Sequence, residues 1–206
     1  MKTVNIYLLR HGKTQGEPAL NGSTDVLVDS DTQQAICRGL ISLSLNITHV
    51  VTSPLRRCQD LAALLVSNRP ALSLSADPQL QEMNFGELDG KPFDCIKPHW
   101  PLLEQFWQDP AETVLPEAET LQQFHRRVTQ RWTALVESVE EDTLIICHGG
   151  TIRMILASIL DLDWKNPALY SVLQIGNQSL THIQLTRADS LYQRVCSIGV
   201  PLQIKE

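Results

Sequence analysis

The sequence predicts an α/β fold, a three-layer α/β/α sandwich with a mostly parallel central sheet, and three observations carry that expectation. Two apolar runs, residues 4–9 and 143–147, lack the polar alternation of a half-exposed strand, as expected where helices cover both sheet faces. Two strand–helix units follow one another, residues 4–45 and 47–67, and such succession favours parallel pairing. A length of 206 residues suffices for one domain with its own core. One domain over 1–206 is therefore expected, with a lid-like excursion at about 84–120.

The first strand delivers Arg10 and His11 onto Gly12, a residue that lets the backbone turn sharply. Residues 13–31, with Gly16, Pro18, Asn21, Gly22 and Ser23, read as a loop over the strand end. Ala35, Ile36, Leu40, Leu43 and Leu45 predict a helix from about Thr32 to Leu45. Residues 47–52 form the next strand, and a helix to about Ser67 follows, with Ser53 as N-cap and Pro54 at its first position. Residues 71–76 alternate like a short strand and lead to an acidic, glycine-containing loop through Glu82, Gly86, Glu87 and Asp89.

Residues 91–120 carry Pro92, Pro98, Pro101, Pro110 and Pro116 beside Trp100, Phe106 and Trp107, which predicts an excursion with a short helix, a lid or substrate wall. Leu121, Phe124, Val128, Trp132, Leu135 and Val139 step by three or four, the apolar face of a long helix over 116–139. After the strand at 143–147 comes His148-Gly149-Gly150 and a helix over 151–160, whose N-terminus offers free N–H groups to an anion. Strands at 172–175, 180–185 and 192–197 complete the chain.

Lys and Arg total 17 against 23 Asp and Glu, a formal charge of −6, which argues against a general nucleic-acid or anionic-membrane surface. The five cysteines, an odd number without C-x-x-C spacing, fit reduced, cytosolic usage. Cys147 beside His148 offers a nucleophile on paper, but a free cysteine in an apolar strand behaves as a small hydrophobe. No signal-peptide core or membrane-length apolar stretch is visible, so a cytoplasmic location is expected.

One device occurs twice: an apolar strand, then His-Gly, at His11-Gly12 and His148-Gly149. If the two strands are parallel neighbours, both imidazoles reach the carboxyl edge of the sheet, where open α/β folds bind ligands. Ser53-Pro54-Leu55-Arg56-Arg57 leaves a third strand at the same edge, and the loop at Glu82 supplies a carboxylate. Histidines and carboxylates also suit a metal. Arginine beside each candidate ligand disfavours a dication and pairs bidentately with phosphate, so phosphate ranks above metal.

In order along the chain, Arg10-His11-Gly12, Ser53 to Ala62, Leu80 to Gly86, Pro116 to Leu121 and His148-Gly149 are similar to the motifs of the histidine phosphatase superfamily, which includes the cofactor-dependent phosphoglycerate mutases. The resemblance spans residues 4 to about 183 and includes Asn177 to Thr181. It implies a phosphoglycerate mutase-like fold and a metal-independent phosphomonoesterase with no cofactor. His11 would become a phosphohistidine, Arg10, Arg57 and His148 would hold the phosphoryl group, and Glu82 would act as general acid, then base. Thr14 and Gly149 would be phosphate neighbours through hydroxyl and backbone N–H.

Arg56, by contrast, reads as a surface residue; His49, His125 and His182 read as structural, and His99 as a substrate contact in the excursion. Within the superfamily, Glu82 to Gly86 and the short excursion resemble the alpha-ribazole phosphatases of cobalamin nucleotide-loop assembly. The longer insertion and basic tyrosine motif of the mutases are missing. Glu17, Asp31, Leu88-Asp89 and Ala118 depart from the family pattern.

The implied partner is a small-molecule phosphomonoester, not nucleic acid or membrane, with a homodimer as one option for the assembly. The rival readings are a broad-specificity phosphatase, a mutase-like enzyme, and a non-catalytic phosphate-binding module.

Overall fold

A computed structural model describes residues 2–203. Its strands are β1 (Lys2–Arg10), β2 (His49–Thr52), β3 (Ser73–Ala76), β4 (Thr143–Cys147), β5 (Ser179–Arg187) and β6 (Leu191–Pro201). Its helices are α1 (Ser30–Ser42), α2 (Arg56–Asn68), α3 (Trp100–Gln108), α4 (Leu121–Ser138), α5 (Gly149–Ile159) and α6 (Ala168–Ser171). The strands form one sheet in the order β3-β2-β4-β1-β5-β6. β3, β2, β4 and β1 are parallel to one another, while β5 runs antiparallel to both β1 and β6.

Period-two alternation sorts the two central strands between two cores. Ile6 and Leu8 of β1, with Ile145 and Cys147 of β4, pack against α4 and α5, whereas Leu9, Leu144 and Ile146 pack against α1 and α2. Helices therefore cover both faces, which is why every residue of β4 is buried and none is polar after Thr143. Register places Arg10 opposite Cys147, so the two His-Gly turns leave the sheet side by side at its carboxyl edge.

Several boundaries differ from the sequence expectation. Residues 172–175 form no strand; they follow the short α6 as a turn and an extended segment. A four-residue run with three apolar members carries too few periods to separate strand from loop. Asp29 caps α1, accepting the N–H groups of Asp31 and Thr32, so that helix begins near residue 30. α4 begins at Leu121 rather than near Pro116, fixed by a reciprocal capping box between Thr120 and Gln123. α2 starts at Arg56 with no side-chain cap, which releases Ser53 for another task. The short helix of the excursion is α3, preceded by four 3-10 turns between residues 78 and 99. No described helix is long and apolar enough to cross a membrane.

Candidate active site

His11 is the first residue beyond β1 and is only 6% exposed. Its N–H donates to the carbonyl of Cys147 (3.2 Å). Its ring Nδ1 bonds the carbonyl oxygen of Gly12 at 2.7 Å. A carbonyl only accepts, so Nδ1 carries the proton and Nε2 keeps its lone pair. Asn177 fixes this turn from the other side, its amide donating to the carbonyls of His11 (3.2 Å) and Gly12 (3.1 Å). Gly12 is required for space rather than for its torsion angles: a Cβ there would meet Ile36 at 2.8 Å and Val28 at 2.9 Å.

His148 ends β4 and is fully buried. Its ring lies edge-on to that of His11, with centroids 5.1 Å apart and planes at 63°. Arg57 Nε donates to its Nδ1 at 3.2 Å, and its Nε2 meets Ser53 Oγ at 2.8 Å. The serine expected as a helix cap thus orients the second histidine. Burial first, then the surrounding arginines, hold His11 down to about 3; His148 is held well below its ordinary value by burial, then by His11 and the arginines. Both rings are therefore neutral at physiological pH.

Two guanidiniums, Arg57 and Arg10, act on this pair, and a third, Arg153, lies beside Gly149. Arg57, fully buried, also donates to the carbonyls of Thr24 (2.8 Å), Gly22 (2.5 Å) and Asn21 (3.2 Å). That loop is in turn held by Asp89, whose carboxylate accepts the N–H groups of Gly22, Ser23, Thr24 and Phe85. Arg10 donates through Nη1 to the carbonyl of Ile175 (2.5 Å), but its Nε is buried with no partner. Arg153 on α5 is anchored through Nε to the carbonyl of Leu173 (3.1 Å). A Cβ on Gly149 would lie 3.1 Å from Arg153 Nη1 and 3.3 Å from Arg10 Nε, so the two cations converge beside that backbone. Desolvation lowers all three guanidinium pKa values from a starting point high enough to keep the charge.

Glu82 closes the cluster at the N-terminus of α5. Its carboxylate accepts the N–H of Gly150 (2.9 Å) and of Met83 (3.2 Å). Arg127 pins the loop behind it, donating to the carbonyls of Gln79, Gln81 and Glu82 while paired with Glu119. The arrangement offers a neutral nucleophilic nitrogen, an unpartnered buried cationic donor, a helix N-terminus and a carboxylate, which suits transfer of an anionic group. Among the described residues no group of three or more His, Cys, Asp or Glu is placed to hold a metal ion.

The expected residues His11, Arg10, Arg57, His148, Gly149 and Glu82 come together here. Thr14 stands apart: it bridges to Val28, and no hydrogen bond ties its hydroxyl to the cluster. Glu17, Asp31 and Arg56 are exposed, and so is His99, which does not line the adjoining cavity. His125 stacks on Trp164 and His182 on Tyr7. Cys147 is buried, with its thiol pushed up by desolvation, as expected of a small hydrophobe. Sequence reading named Ser53 only as a helix cap, Asn177 only within the family resemblance and Asp89 only as a departure from it, and it missed Arg153, which stands one helical turn after Gly149.

The fold and the convergent histidines and arginines define a phosphoryl-handling α/β enzyme. The model of the histidine phosphatase superfamily (branch 1) matches residues 6–196, and the chain belongs to that family, an enzyme of the phosphatase class. A Hydrogenobacter thermophilus protein named as a phosphoserine phosphatase is 28% identical over 87% of this chain and 89% of its own. An Erwinia tasmaniensis protein named as phosphoglycerate mutase GpmB is 29% identical over 77% of this chain and 76% of its own. The solved structure of the alpha-ribazole phosphatase from Shigella flexneri shares the fold, with a TM-score of 0.79 at 19% identity, covering 98% of this chain and 100% of that one.

Proposed function

We propose that the chain, acting as one catalytic domain, is a metal-independent phosphomonoesterase that works through a phosphohistidine on His11. The observation that carries this is the Nδ1 bond to Gly12, which leaves the Nε2 lone pair free in a cluster that holds an unpartnered Arg10 donor. His11 Nε2 attacks phosphorus as the bond to the alcohol oxygen breaks, and Glu82 gives that oxygen its proton. In the second half Glu82 takes a proton from water, the hydroxide displaces the histidine, and inorganic phosphate leaves. Arg10, Arg57 and the Gly149 backbone offset charge on the equatorial oxygens, and His148 is assigned a phosphoryl contact through Nε2–H, given when substrate displaces Ser53 Oγ. Arg57 commits most of its donors to residues 21–24 and to His148, so its first task is to hold the site's shape. Thr14 is assigned a phosphate contact only if the 13–17 loop turns inward.

For the substrate we propose alpha-ribazole 5'-phosphate, supported by the likeness of Glu82 to Gly86 to that subfamily and by the shared fold. The names of the curated relatives favour a second reading, hydrolysis of phosphoserine or mutase-like handling of phosphoglycerate. A panel containing all three esters, with and without a bisphosphorylated primer, separates them. A kcat/KM highest for alpha-ribazole 5'-phosphate supports the first reading, and primer-dependent isomerisation contradicts it.

A further inference from the structure

Glu82 and the start of α5 open into a cavity of about 510 Å³ whose walls are largely apolar. Leu20, Phe85, Phe106, Trp107, Leu121 and Phe124 build it, contributed by the entry loop, the excursion, α3 and the start of α4. Phe85 and Phe106 meet edge to face with centroids 6.2 Å apart, fixing the shape of one wall. Glu82, Gly150, Arg153, Tyr170 and Ser171 supply its polar lining, so an alcohol whose oxygen takes a proton from Glu82 projects its carbon skeleton into this space.

We infer that the leaving group is an alcohol carrying a flat aromatic ring system, which the Phe85–Phe106–Trp107 wall selects over small alcohols that lack a ring, carboxylated ones above all. This rests on the phosphomonoesterase reading above. Three features carry it. The volume lies in the range of about 300–1,000 Å³ used for drug-sized ligands, so a three-carbon alcohol would leave most of it unfilled. Arg153 is the sole cation among the lining residues, and its Nη1 faces Gly149 and Arg10 on the phosphoryl side. A carboxylate on the alcohol would thus share the cavity with the Glu82 carboxylate and lose its water without a counter-charge of its own. A flat aromatic group exchanges water for ring contacts along the whole wall.

Calorimetric binding of phosphonates to the full chain tests this without turnover. Benzylphosphonate and 2-naphthylmethylphosphonate are compared with 2-hydroxyethylphosphonate and 3-phosphonopropionate. The naphthyl compound is expected to bind about tenfold or more tighter than either polar analogue, with benzyl between them. Trp107→Ala, at a residue 40% exposed and outside the main core, is expected to shrink that ratio several-fold. Equal affinities, tighter binding of the carboxylated analogue, or no binding of any phosphonate would overturn the inference. An aromatic preference without any phosphohistidine would sink the phosphomonoesterase reading and leave the pocket assignment standing.

Discussion

Arg57 Nε donates to Nδ1 of His148 across 3.2 Å, and that bond decides which ring nitrogen carries the proton. A guanidinium can only donate, so Nδ1 accepts and Nε2–H points to Ser53 Oγ. Nitrogen NMR at neutral pH is expected to show His148 as the neutral Nε2–H tautomer. The opposite tautomer, with the proton on Nδ1, would contradict this pairing.

Acid sensitivity follows from the same burial. His11 is held down to about 3 and His148 well below its ordinary value, whereas both return to about 6.5 when unfolded. The unfolded chain then binds more protons, so stability is full above about pH 6.5 and falls below it. The slope is about 1.4 kcal/mol per pH unit for each histidine until the folded value is reached. Asp89 is shifted the same way, so its contribution is lost only in the more acidic range below its unfolded value. Denaturant melts from pH 7 to 4 should show the loss, and His11→Gln should flatten it; identical slopes in both proteins count against the assignment.

Glu82→Gln removes the proton donor while keeping the acceptor for the Gly150 N–H. Alkyl phosphates, whose alkoxides leave poorly, are expected to lose about 10²–10⁴-fold in kcat, and 4-nitrophenyl phosphate far less. Parallel assays of the two esters decide the matter. Equal losses would remove Glu82 from the acid role.

Asp89→Ala leaves the N–H groups of Gly22, Thr24 and Phe85 without their acceptor. A loss of roughly 1–3 kcal/mol is expected, with faster amide exchange at residues 22–24 and a lower kcat, because those residues also hold Arg57. Unchanged exchange there, with kcat retained, would detach Asp89 from the site.

Much of this architecture is legible in the sequence because its signals are strong ones. β1 and β4 are buried on both faces, which removes polar alternation, and each ends in His-Gly; pairing them as parallel neighbours brings the histidines together. The reading weakens where one residue type serves two purposes. Ser53 has the form of an N-cap yet bonds His148, because Leu55 rather than Ser53 precedes the first helical residue. Arg153 has the form of a surface arginine, and only the three-dimensional approach of the Leu173 carbonyl turns it inward. Gly12 implies a turn, whereas the side chains of Ile36 and Val28, distant in sequence, are what exclude a larger residue. Asp89, a departure from the family pattern, anchors the loop that carries Arg57's acceptors, a role set by contacts about 65 residues away in sequence.

Trapping the intermediate is the decisive test of catalysis through His11. The chain is mixed with a ³²P-labelled phosphomonoester, quenched within the first turnovers, and digested to locate the label. The expected product is an acid-labile, base-stable phosphohistidine on His11, absent from His11→Ala, which also loses hydrolysis. Label on another residue, or hydrolysis retained by His11→Ala, would contradict catalysis through His11.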